Sequence, residues 1–147
     1  MSYAVLMAYV EADGMPEQRV RLAASLADKF NATLIGLSAL GPPLLGEGVV
    51  FQEVTESDIK EMRATLAAKG NWFRSIAGAD HRRLEWRPIL DFPSDALARE
   101  ARSADLIVIG HTMGAGDAYS MRSGFLKCLV LRRMHIWLFS SHLRKGL

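Results

Sequence analysis

Cysteine is nearly missing from this chain. Cys128 is the only one in 147 residues, so no internal disulfide can form, and a reducing compartment is expected. Between Lys127 and Leu129 it reads as a small core residue rather than a nucleophile. Long uncharged apolar runs are missing too. Lys127, Arg132 and Arg133 interrupt the best candidate for a membrane span, and no basic segment at the N-terminus leads into an apolar core. Neither a transmembrane helix nor a signal peptide is therefore expected, and a soluble cytoplasmic protein is. The metal and hydrolase signatures are also lacking. There is no Cys-x-x-Cys, no His-Glu-x-x-His, no Gly-x-Ser-x-Gly elbow and no P-loop lysine. A strong charge of either sign is absent, since the formal net charge is +2. Carboxylate side chains run out after Asp117, while Arg122, Lys127, Arg132, Arg133, Arg144 and Lys145 remain. We read this basic segment, residues 117–147, as a solvated helix face and loose end of the same domain, ahead of a polyanion-binding tail.

What is present suits one α/β domain over residues 1–147, with a hydrophobic fraction of 50%. The organising stretch is Ser103 to Gly116. Leu106 to Ile109 is apolar throughout, as a strand covered on both faces of a parallel sheet would be. Gly110, Gly114 and Gly116 follow at once. In open α/β sheets ligands sit beyond the carboxyl ends of the strands, where the strand order reverses, and glycines there let backbone N–H groups approach an anion. A plain strand-to-helix turn is the competing reading, because a glycine-rich loop alone is weak evidence.

In chain order, Tyr3 to Val10 reads as a buried first strand and Glu11 to Gly14 as a turn. Pro16 and Glu17 open a helix with Val20, Ala23, Ala24 and Ala27 inward, and Asn31 is its left-handed cap. Ala32 to Leu40 is the second strand of a right-handed βαβ unit. The stretch from Gly41 to Thr55 is expected to be a loop. Thr55 or Ser57 caps a second helix with Ile59, Met62, Leu66 and Phe73 on one stripe, and Gly70 weakens its last turns. Leu84 to Leu90 is a strand that Pro88 assigns to an edge of the sheet. A turn at Asp91 to Ser94 leads into a helix with Leu97, Ala98 and Ala101 buried. Ser120 to Arg133 is expected to be helical, and His135 to Phe139 a last strand.

The segments RLAASLADKFNATLIGLSAL and EWRPILDFPSDALAREARSADLIVIGH resemble the universal stress protein family, and the likeness runs to about Gly116. The resemblance implies an open five-stranded parallel sheet in the order three-two-one-four-five, with helices on both faces. Some members bind ATP through an aspartate ending the first strand and a G-x2-G-x9-G-[ST] pattern after the fourth. Here Val10 stands at the aspartate position, with Glu11 and Asp13 nearby. Gly110 and Gly114 are separated by three residues instead of two. Gly114 and Gly124 keep nine between them, but Phe125 follows. The end MHIWLFSSHLRKGL is a poor copy of the family's usual Pro-Val-Leu-Val type of last strand.

The expected ligand site therefore lies between Val10, Glu11 and Asp13 on one side and Gly110, His111, Gly114, Gly116 and Gly124 on the other. His111 could bond a phosphate or base, though a loop histidine without chemistry is the commoner case. His81, His135 and His142 carry no pattern. Asp105 and Asp117 are expected to cap or flank helices, and Trp72, Trp86 and Trp137 to be core or interface residues. The leading functional reading is a dimeric stress-response binding or regulatory module with weak or absent ATP binding, not a dedicated enzyme. The alternatives are an ATP-binding universal stress protein with slow hydrolysis, using ATP and magnesium, and a basic-tailed module for nucleic acid or protein. The near-neutral body and the lack of a nucleic-acid motif put the last behind the others. The family's dimer geometry implies a homodimer interface at His135, Ile136, Trp137, Leu138 and Phe139.

Overall fold

The computed structural model describes residues 3–42, 44–45, 50–51, 53–78, 83–110 and 135–139. Strand β1 (Val5–Tyr9) leads through a turn to helix α1 (Glu17–Phe30). Pro16 precedes the helix, and Glu17 places a carboxylate at its positive end. Asn31 ends it in the left-handed conformation, at φ 51°, with its N–H donating back to Ala27 and Asp28. Strand β2 (Thr33–Ala39) follows. The expected loop after Gly41 holds a short antiparallel pair, β3 (Leu44–Leu45) with β4 (Val50–Phe51). Two residues per strand leave no periodicity to read, which is why the sequence shows only a loop there.

Helix α2 (Glu56–Ala77) begins with a capping box between Thr55 and Asp58. The Thr55 hydroxyl and N–H hold the Asp58 carboxyl below its ordinary range. The helix passes through Gly70 without a break. A Cβ at Gly70 would lie 2.6 Å from the Trp86 Nε1, so glycine is there to let the indole lie against the helix. That close packing offsets a helix penalty of about 1 kcal/mol. Strand β5 (Leu84–Ile89), helix α3 (Pro93–Glu100), a 3₁₀ turn (Ala101–Ser103), strand β6 (Leu106–Gly110) and strand β7 (His135–Phe139) complete the described elements.

The main sheet has five strands in the order β5-β2-β1-β6-β7, and all four pairings are parallel. With the small β3–β4 pair set aside, this is the expected order three-two-one-four-five. Alternate residues of the central strands feed two cores. Leu6, Ala8, Val10, Leu34, Leu106 and Val108 pack under α1 and α2 with Val20, Ala23 and Phe73. Met7, Tyr9, Ile35, Leu37, Ile107 and Ile109 pack under α3 with Leu97 and Ala101. Burial on both faces explains why these strands read as unbroken apolar runs.

Strand β5 is an end strand, as Pro88 implied. Leu34 N–H donates to Arg83 and Leu40 N–H to Ile89, so the odd-numbered residues of β5 face β2. Pro88 therefore points its missing donor outward, and no ladder bond is lost. Asp105 does not cap a helix. One of its carboxylate oxygens accepts from the N–H of both Ala4 and Val5, at 2.9 and 3.0 Å. It ties the start of β1 to the start of β6, a role that requires the two strands to be neighbours and so is invisible in local sequence.

Candidate functional site

The strand order reverses between β1 and β6, and their carboxyl ends define the candidate site. Met7 lies opposite Ile107 and Ala8 opposite Val108. Continuing that register brings Gly110 beside Val10. The chain turns at Glu11 to Gly14 and enters α1, whose first turn carries Arg19 back toward the strand ends.

Arg19 dominates the site, and sequence reading passed over it. It is only 7% exposed. Its Nη1 donates to the Tyr9 carbonyl at 2.9 Å and to both carboxylate oxygens of Glu11 at 2.7 Å. A Cβ on Gly110 would collide with the same guanidinium. The absence of a side chain at Gly110 is what lets this guanidinium lie against the strand end. Arg19 Nε is buried with no acceptor. A buried ion pair with an unused donor is expensive to assemble, so it is weak evidence for stability and better evidence for a site that admits another acceptor.

The other expected residues divide clearly. Val10 is fully buried, and its N–H is taken by Leu37 O at 2.8 Å, so its side chain offers nothing to a ligand. The Glu11 side chain is 22% exposed and engaged with Arg19. Asp13 is exposed on the turn. The structure thus brings Glu11 and Gly110 together, through Arg19, and leaves Asp13 at the rim. His111, Gly114, Gly116 and Gly124 lie outside the described residues.

A second buried cation steadies the turn. Lys69 of α2 is 9% exposed and donates from Nζ to the Gly14 carbonyl. Its Nζ also lies 5.4 Å from the centre of the Trp72 ring, within cation–π range. Elsewhere on this rim, Arg99 donates to Asp91 and, with the Phe92 N–H, holds that carboxyl below its ordinary range. Among the described residues no cluster of three or more His, Cys, Asp or Glu could hold a metal ion, and no helix is long and apolar enough to cross a membrane.

Neither a family model nor a curated protein matches the sequence. Solved structures do match. A universal stress protein in complex with cAMP is 18% identical, with a TM-score of 0.63 over 96% of this chain and 99% of that one. The universal stress protein UspA from Lactobacillus plantarum is 14% identical, with a TM-score of 0.59 over 95% and 99%. The universal stress protein from Archaeoglobus fulgidus in complex with dAMP is 20% identical, with a TM-score of 0.56 over 94% and 98%. The agreement extends over nearly the whole of each chain, so this chain, with its parallel sheet and flanking helices, has the fold of the universal stress proteins.

Proposed function

We propose that this chain is a universal-stress-type binding or regulatory module that works as a homodimer and binds ATP weakly or not at all. The observation that carries the reading is Arg19, whose guanidinium lies at the switch point beside Gly110 and is neutralised by Glu11. A carboxylate there repels a triphosphate, and Val10 presents no acidic group at the position where ATP-binding members carry aspartate. Proteins of the same fold hold cAMP and dAMP, each with a single phosphate. A single phosphate is the charge that one arginine can match if Glu11 swings outward. Calorimetry with ATP and magnesium is expected to show no heat up to roughly millimolar nucleotide. Micromolar binding would replace this reading with its alternative, an ATP-binding protein with slow hydrolysis.

The proposed dimer rests on β7. It ends the sheet on the side away from β5, paired with β6 only among the described strands. Its sequence supplies Ile136, Trp137, Leu138 and Phe139, a run that favours a covered edge. Sedimentation of the wild type and of Trp137→Asp at micromolar concentration tests it. A dimer that dissociates in the variant is expected, whereas a monomeric wild type would remove β7 from the assembly.

A further inference from the structure

Away from the β1 and β6 ends, α2 and the end strand β5 line an open cleft of about 600 Å³. That volume suits a drug-sized small molecule. Its apolar lining comes from Leu66 on α2 and from Trp86, Pro88 and Leu90 on and after β5. Leu90 is 38% exposed. Its polar lining is Arg63, Asn71 and Arg74, and no carboxylate contributes.

The two arginines stand apart from most others among the described residues. Arg19, Arg21, Arg83, Arg87 and Arg99 each donate to a carboxylate or a carbonyl. Arg63 and Arg74 have no acceptor among the described residues. Arg102 shares that condition but lies off the cleft. Arg63 and Arg74 are separated by three turns of α2, about 16 Å along the helix axis, so they bracket the apolar lining. The Trp86 indole is held against Gly70 and the Phe73 ring, and its Nε1 is buried with no acceptor. The cleft thus combines an aromatic wall with two uncommitted cations.

We propose that this cleft binds a flat organic anion, an aromatic or polycyclic carboxylate, sulfonate or phosphate. Its apolar body lies along Trp86, Pro88 and Leu66, and its charge meets Arg63 or Arg74. Arginine suits this role because its planar fork bonds oxyanions through two parallel N–H groups. The site is separate from Arg19 and Glu11 and does not depend on what binds there.

The test uses the full chain and 8-anilinonaphthalene-1-sulfonate as the probe, followed by fluorescence titration. One probe molecule per chain is expected. The Arg63→Glu, Arg74→Glu double variant should weaken binding about tenfold or more, the scale of one lost charge-assisted contact. Ala67→Trp, which fills the cleft from an exposed helix position and keeps both charges, should weaken it similarly. Arg102→Glu should leave it unchanged. Thermal melts establish that each variant is folded, and if the double variant is not, Ala67→Trp alone decides. The proposal is overturned if the wild type does not bind the probe, if a folded Ala67→Trp binds like wild type, or if Arg102→Glu weakens binding as much as the double charge reversal.

Discussion

Phe73→Ala is expected to lower the unfolding free energy by about 3–5 kcal/mol, measured by urea denaturation. Phe73 is fully buried beneath the sheet. Its ring lies 5.3 Å from the Trp86 ring, and both reach over Gly36. A Cβ at Gly36 would come within 2.7 Å of each ring, so the strand has given up a side chain to admit them. Truncating Phe73 leaves a void that neighbouring backbone, fixed by β1 and β5 on either side of β2, cannot close. Gly36→Ala should itself destabilise by about 1–3 kcal/mol through overpacking. That loss should shrink in a Phe73→Leu background, because the two sites share one space. A loss below about 1 kcal/mol for Phe73→Ala would show that the ring is not a keystone of this core.

Glu11→Gln should have the next largest effect, and it reports on function. Removing the carboxylate strands the Arg19 guanidinium in a buried position without a counter-charge. Breaking buried pairs in this way costs about 3–5 kcal/mol, and the 22% exposure of the Glu11 side chain moves the expectation to the lower end. Two further results follow from the same physics. Adding Arg19→Met should recover most of the lost stability, because no uncompensated charge remains. Adding AMP or inorganic phosphate should raise the melting temperature of Glu11→Gln more than that of the wild type, because an anion that binds only the folded state stabilises it. A Glu11→Gln protein as stable as wild type and indifferent to phosphate would show that Arg19 is satisfied elsewhere.

These two results also mark where the sequence was legible. The sheet was readable because burial on both faces writes itself as runs such as Leu6 to Val10 and Leu106 to Ile109. Pro88 located the β5 edge because a missing N–H has only one tolerable direction. The reversal of strand order between β1 and β6 was legible, but Arg19 and Lys69 at its carboxyl side were not. Each is a charged residue on the inward face of an amphipathic helix, beside Val20 or Gly70, where periodicity assigns apolar side chains. Their partners, Glu11 and the Gly14 carbonyl, sit in a turn whose position depends on the assembled fold. The one available signal for Arg19 was a basic residue in the first turn of a helix, where the dipole disfavours it. Gly110 shows the same limit. Its place at the strand end was evident, but the group it makes room for was not.

The outward-facing Pro88 has a consequence for self-assembly. An open sheet with two permissive edges can act as a bifunctional unit, since each copy that docks presents a fresh edge to the next. Pro88 removes one of the outward donors of β5, so that end is the poorer docking edge of the two. In the proposed dimer, joining β7 to β7 across a two-fold axis would consume the more permissive edge of both copies and leave a proline-bearing strand at each extremity. Growth would then stop at two for the same reason that an end-capped reagent terminates a step-growth polymer, and a single ring in β5 would limit strand-mediated assembly of that dimer.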